Sequence, residues 1–558
     1  MKFAAASLSG LLLLVTIAAH AQDPTKTQGT VQHVIVVVQE NRTVDNLFGS
    51  GSNPPFESGV NIASSGNVEG GSSVPLSAVT LYGCYDLGHT HADFTAMYDS
   101  GNMDGADNES VHPSSGCIPG SNPPYRYADN SSTTLPANEV APYFAIAKEF
   151  GFANYMFQTN QGPSFPAHQF IFSGTSAPVY DDGDSGQYWE WFAAENPQLN
   201  GAGIGTPTGC LGEVAPYLNT VQQINPGGTE SNGWSNPSLF SGTNGAGYPC
   251  YNHNTIATVL DPAGITWKYY TNDPRSIWTA PNAIQGICNP SAAGGPCSTA
   301  PGSDWNNVIV QSTVNGHPAQ ILEDIKNCAL PKVAFVTPDG AWSDHAGCAT
   351  GTNCNTQALG PSWVAAIVNG IGQGMTGSTC NTASNPVYWN NTVILITWDD
   401  WGGWYDHVLP PSASGYFGGG TNGEQYTYGF RVPLLVVSAY SPKAGYVSGA
   451  TSTLATECPS TPNRKYCHDF GSILNFIEYA FGSNGAPLGQ IGSIDYPYAD
   501  YFAMDGANVC GIQCPYSLSD FFKFSQTPAT FTAIPAPYLS SFFLKYTGNP
   551  QEPDNDGD

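Results

Sequence analysis

Basic residues are scarce in this sequence. Lys and Arg together number 15 in 558 residues, against 43 Asp and Glu, for a formal charge of −28. Such a surface repels polyanions on average, which argues against nucleic acid or an anionic membrane surface as the partner. Long apolar runs are also lacking. The one at the N-terminus falls short of the ~20 residues that span a bilayer, and no later stretch reaches that length. There is no internal repeat, which excludes solenoids and propellers. A Gly-x-Ser-x-Gly elbow, the mark of many Ser-His-Asp hydrolases, is missing where it would be sought, because Gly162-Pro163-Ser164-Phe165-Pro166 has no second Gly.

Cysteine, by contrast, is plentiful. The 14 cysteines, an even number, suit disulfides in an oxidising compartment. Cys288/Cys297, Cys348/Cys354, Cys458/Cys467 and Cys510/Cys514 are spaced to staple single loops. A zinc finger finds little support, since Cys510-x-x-x-Cys514 has no second ligand pair after it. Residues 1–21 read as an export signal. Lys2 supplies the positive start, Leu11 to Ala19 the apolar stretch, and Ala19-His20-Ala21 the small-x-small cleavage site. The expected destination is therefore the periplasm or the medium. With 12% aromatics, 63 Gly and 44 Pro, the mature chain reads as loop-rich and globular.

Residues 22–548 are expected to form one domain with long loop insertions at 50–78, 198–250 and 280–304, followed by a disordered acidic tail at 549–558. Four β-branched or apolar runs predict strands buried on both faces: Val34–Val38, Val333–Val336, Val393–Thr397 and Val432–Val437. Helical patterns cover Ala141–Glu149, Ala319–Asn327, Ser362–Ile371 and Phe470–Phe481. Buried strands alternating with helices imply an α/β fold with a mostly parallel sheet.

Ligands of α/β sheets gather at the carboxyl ends of strands. Glu40-Asn41 follows the first strand, and Asp399-Asp400 follows the third. Singly, Glu40 or Asp399 reads as a turn cap. As two pairs at two strand ends, they are oxygen donors suited to Mg²⁺, Ca²⁺ or Mn²⁺. A bound cation would also supply the positive charge that this acidic chain otherwise lacks for a phosphate substrate. Ser164 lies in a tight turn with His168 four residues on. Metal coordination is one way to activate a hydroxyl nucleophile, although an ordinary N-cap is an equal reading of Ser164 from this segment alone. His89, His345 and His407 lie near these segments and are candidates to contact a phosphoryl group or protonate a leaving group. His33, His112, His253 and His317 read as structural or surface residues.

These segments resemble, in order, those of the bacterial phosphoesterase family, which holds secreted phospholipases C and a group of acid phosphatases within the alkaline phosphatase superfamily. The likeness runs from His33–Gly49 through Tyr98–Gly105, Gly162–Gln169, Ser343-Asp344-His345 and Thr397–Val408 to Arg431–Ser448 and Ser472–Glu478. It implies a three-layer α/β/α fold. It also implies Glu40, Asn41, Asp399 and Asp400 as metal ligands, Ser164 as nucleophile, and His89 and His345 at the phosphoryl group. Beside these, His168 and His407 are candidate phosphate contacts from their places near the same segments. Ala167 departs from the Asn often found there in the family. The large C-terminal β-domains of many phospholipases C are not expected in this chain.

The reaction so implied is in-line attack by Ser164, a phosphoseryl intermediate, and its hydrolysis by water, with a divalent cation as cofactor. The substrate is a small phosphate monoester or a phospholipid. The alternative is a secreted, non-catalytic metal- or ligand-binding protein on the same fold, for which the 12 Trp and 29 Tyr would suit a sugar-binding surface.

Overall fold

A computed structural model of the chain describes residues 24–49, 56–114, 116–130, 139–177, 191–196, 251–274, 276–291, 296–310, 319–347, 359–411, 428–451, 467–492, 498–502 and 516–546, together with 210, 220–222, 230–231 and 250. The expected export signal and acidic tail lie outside the described residues, as does most of the 198–250 insertion.

The core is an eight-stranded sheet. In chain order its strands are β1 (His33–Gln39), β2 (Gly151–Ala153), β3 (Trp267–Thr271), β4 (Val308–Val310), β5 (Val333–Val336), β6 (Thr392–Trp398), β7 (Leu434–Val437) and β8 (Tyr446–Ser448). Across the sheet the order is β4-β3-β5-β1-β6-β7-β2-β8. All pairings are parallel except those of β7 with β6 and with β2. One reversed strand thus sits in an otherwise parallel, mixed α/β architecture.

The most apolar runs in the sequence occupy the middle of this order, as burial on both faces requires. Every residue of β6 is buried, and β1 is buried from Val34 to Gln39. The Val432–Val437 run begins its strand two residues late, at Leu434. Just before it, Val432 donates its N–H to the Met156 carbonyl, and the Pro433 carbonyl accepts the Thr397 hydroxyl.

Helices α1 (Val44–Phe48), α2 (His91–Tyr98), α3 (Ala141–Glu149), α4 (Ser164–Ser173), α5 (Gln320–Asn327), α6 (Leu359–Gln373) and α7 (Phe470–Ala480) accompany the sheet. Both α4 and α7 are buried along their whole length, so their sequences lack the polar face of a surface helix. Residues 516–546 add Tyr516, Phe521, Phe522 and Phe543 to the same core as β1.

Four disulfides are described: Cys84–Cys117, Cys210–Cys250, Cys288–Cys297 and Cys328–Cys380. Of the four expected short staples, Cys288–Cys297 is present, and the other three involve residues outside the described set. No helix among the described residues is long and apolar enough to cross a membrane.

Candidate active site

Parallel pairing of β1 with β6 sets Gln39 opposite Trp398. The residues that follow the two strands therefore leave the sheet side by side at its carboxyl edge. They are Glu40-Asn41 and Asp399-Asp400, and all four are fully buried. Hydrogen bonds tie the two exits together. The Asp399 N–H donates to the Gln39 carbonyl at 3.0 Å, and the Asn41 N–H donates to Asp399 Oδ1 at 3.0 Å. Asn41 adopts φ +60°, a left-handed conformation that asparagine visits more readily than most residues. Gly402 (φ +58°) packs directly against it: a Cβ there would stand 2.6 Å from the Asn41 Cβ and 2.6 Å from its carbonyl oxygen. Glycine is what lets the second loop close on the first.

Ser164 enters from α4. It is the first helical residue, behind Pro163 at a cap position that makes no side-chain bond, so its hydroxyl is not the helix cap. Instead Oγ lies 3.1 Å from Asp400 Oδ2, 3.3 Å from Glu40 Oε2 and 3.4 Å from Asn41 Oδ1. A hydroxyl has one proton to donate, and three acceptors crowd it. The positive end of the ten-residue α4 dipole also points at this spot. Asp400 is held for its part by Oδ1, which accepts the Gly402 N–H at 2.7 Å.

His168, one turn along α4, places Nε2 3.2 Å from Glu40 Oε1 and 3.6 Å from Asp399 Oδ2, with all three side chains fully buried. Burial lowers the His168 pKa to about 4 although Asp399 pulls it upward. The ring is thus neutral at pH 7 and does not balance the carboxylates. Asp399 Oδ2 is buried without a hydrogen bond. Buried charges need a compensating charge, and three carboxylates with an amide oxygen form a donor set that fits a divalent cation.

His89 stands behind Asn41. Its Nδ1 is 2.8 Å from the Leu87 carbonyl, which can only accept, so the proton is on Nδ1 and Nε2 accepts the Asn41 amide N–H at 3.2 Å. This bond fixes the amide so that its oxygen faces Ser164. His345 lies next to His89, with ring centroids 5.9 Å apart, and gives its Nδ1–H to the Ala346 carbonyl at 2.7 Å.

The contacts of His407 are elsewhere. Its Nδ1 is 2.6 Å from Asp45 Oδ2 and its Nε2 is 3.1 Å from Asn61 Oδ1. Arg431 completes that group with paired bonds to Asp406 at 2.8 and 3.0 Å. Burial alone would lower the His407 pKa, but the Asp45 carboxylate outweighs it and holds the pKa above the usual value.

Two features escaped the sequence reading. One is the closeness of His168 to Glu40 and Asp399; the signal was its i, i+4 spacing from Ser164, which puts both on one helix face. The other is Asp344, buried and bonded to the Tyr143 hydroxyl at 2.6 Å and to Trp398 Nε1 at 3.0 Å. Burial raises its pKa to about 7. The Ser343-Asp344-His345 segment stood out in the sequence for His345, and its pattern does not mark Asp344 as a hub.

The profile of the Phosphoesterase family matches residues 31–484. Among characterised proteins, the chain is similar to phospholipase C B of Mycobacterium tuberculosis, at 28% identity over 34% of this chain and 35% of that one. The non-hemolytic phospholipase C of Burkholderia pseudomallei is 27% identical over 41% of this chain and 32% of its own length. The hemolytic phospholipase C of Pseudomonas aeruginosa is 22% identical over 86% of this chain and 57% of its own. Alignments to these relatives span about a third to somewhat over half of their lengths.

Proposed function

The chain belongs to the Phosphoesterase family, and from that premise we propose that it hydrolyses phosphate esters with Ser164 as nucleophile, in the manner of a phospholipase C. The observation that carries the reading is the convergence on Ser164 Oγ of Asp400, Glu40 and Asn41, all within 3.4 Å.

Ser164 Oγ attacks phosphorus in line as its proton passes to Asp400 Oδ2, the nearest acceptor. The new Oγ–P bond forms as the bond from phosphorus to the alcohol oxygen breaks. His345 protonates the departing oxygen through Nε2, its Nδ1–H being held by Ala346. Water then attacks phosphorus, giving a proton to His345 Nε2, as the Oγ–P bond breaks and Asp400 returns its proton to Ser164 Oγ. A divalent cation bound among Glu40, Asn41, Asp399 and Asp400 would lower the pKa of the hydroxyl and offset charge on the phosphoryl oxygens. His89 acts through Asn41, whose amide it orients. His407, with both ring nitrogens engaged, braces the loop after β6 instead of touching phosphate.

The relatives' names favour a phospholipid diester over a simple monoester. A three-layer α/β/α arrangement and export after cleavage at Ala21 belong to the same reading; the disulfides support export, since such bonds persist in oxidising compartments.

The test is a substrate panel, phosphatidylcholine beside a chromogenic phosphate monoester, on wild type and on Ser164→Ala. The variant should keep its fold and bound metal and lose turnover by at least about a thousandfold on every substrate. Near-normal turnover would end the assignment.

A further inference from the structure

We propose that His168 is a nitrogen ligand of the cation, making the centre a mixed nitrogen–oxygen site that prefers borderline transition ions such as Co²⁺ or Zn²⁺ over Ca²⁺ and Mg²⁺. The inference deepens the reading above and rests on its premise that a cation is held at the strand ends.

Glu40 faces two ways. Its Oε2 is 3.3 Å from Ser164 Oγ, while its Oε1 is 3.2 Å from His168 Nε2. On the far side of the ring nitrogen, Asp399 Oδ2 stands at 3.6 Å. These three donor atoms lie within 4.8 Å of one another, and all three side chains are fully buried. Neighbouring ligands on one ion, with bonds of about 2.1 Å, stand roughly 3.0 Å apart in octahedral and 3.4 Å apart in tetrahedral geometry. The separations of 3.2 and 3.6 Å are close to those edges.

Hydrogen bonding alone leaves this pocket unsatisfied. A single Nε2–H serves Glu40 and leaves Asp399 Oδ2 buried with no hydrogen bond. A buried carboxylate oxygen without a partner is costly. A shared cation satisfies the nitrogen and both oxygens at once. His168 Nδ1 has no hydrogen bond in the described structure and lacks one in either tautomer, so it does not choose between the two arrangements; the placement of Nε2 between Glu40 Oε1 and Asp399 Oδ2, two oxygens the cation takes, is what points to the nitrogen as a ligand. Oxygen-only sites suit Mg²⁺, Ca²⁺ and Mn²⁺, whereas an imidazole ligand shifts preference toward Co²⁺ and Zn²⁺.

The experiment uses the full chain, stripped of metal and titrated in the absence of substrate with Ca²⁺, Mg²⁺, Mn²⁺ and Co²⁺, for wild type and His168→Gln. Calorimetry reads affinities, and pulsed electron paramagnetic resonance of the Mn²⁺ form reads nitrogen coupling. The expected result is Co²⁺ binding at least about a hundredfold tighter than Ca²⁺ in wild type. In the variant that ratio should fall by about tenfold or more, and the directly coordinated nitrogen signal should vanish. Should the variant fail to fold, the wild type labelled with ¹⁵N-histidine keeps the question open to answer, because the coupling must change with the isotope. A wild-type Mn²⁺ centre with no coordinated nitrogen, or an unchanged Co²⁺-to-Ca²⁺ ratio in a folded variant, overturns the proposal while leaving the serine mechanism intact. Absence of any cation binding would instead overturn the premise it rests on.

Discussion

Gly402→Ala tests whether the closeness of the two strand-end loops makes the site. Two costs arise, and they can be separated. An alanine at φ +58° carries the left-handed penalty of about 1–2 kcal/mol. Its Cβ would also stand 2.6 Å from both the Cβ and the carbonyl oxygen of Asn41, so backbone must shift, at a further cost of about 1–3 kcal/mol. Gly264 supplies the control. It has φ +66° and nothing within 4 Å of an added Cβ, so Gly264→Ala carries the first cost alone. Denaturant unfolding should show Gly402→Ala less stable than Gly264→Ala by roughly the steric difference. The shift falls on Asn41, and on Asp400 through its 2.7 Å bond to the Gly402 N–H. Both residues flank Ser164 Oγ, and a displacement of around 1 Å at reacting groups costs about a hundredfold in rate. Turnover should thus fall about that much in Gly402→Ala and stay near wild type in Gly264→Ala. Equal stabilities and full turnover in both variants would show that the contact of Gly402 with Asn41 does not shape the site.

The Asp45–His407 pair predicts a pH-dependent stability term. Because the folded His407 pKa is raised, its contribution is complete below about 6.5 and is lost as pH rises through the folded value. His407→Gln should cost roughly 1.5–3 kcal/mol near pH 6 and less at alkaline pH, as read by unfolding at several pH values; a cost that does not vary with pH would contradict the assignment. Cys328–Cys380 closes a loop with a sequence separation of 52. Replacing both cysteines by serine should lower stability by about 4 kcal/mol on the chain-entropy account, with little change in KM for a soluble substrate.

The centre of the fold was legible because its strands are buried on both faces and so carry unbroken β-branched runs. Val333–Val336 matches its strand residue for residue, and β1 and β6 extend their runs by one residue at each end. The peripheral strands were not. Gly151–Ala153, Val308–Val310 and Tyr446–Ser448 are three residues each, too short to show a period. The reversed direction of β7 is a property of connections, which composition does not encode. At the site, Glu40, Asn41, Asp399 and Asp400 could be picked out because they directly follow long apolar strands. That Ser164 joins them depends on how α4 crosses the sheet edge, and that His168 meets Glu40 and Asp399 depends on the same helix. The disulfide of Cys328 with Cys380 pairs residues that only the fold brings together.

Rapid acid quenching during turnover, followed by peptide mapping, addresses the Ser164 chemistry most directly. Covalent phosphate, or the phosphorylated head group of a diester, is expected on the Gly162–Gln169 segment at Ser164, with none in Ser164→Ala. Label on another residue, or full turnover with no trapped adduct and no burst of alcohol release, would contradict it.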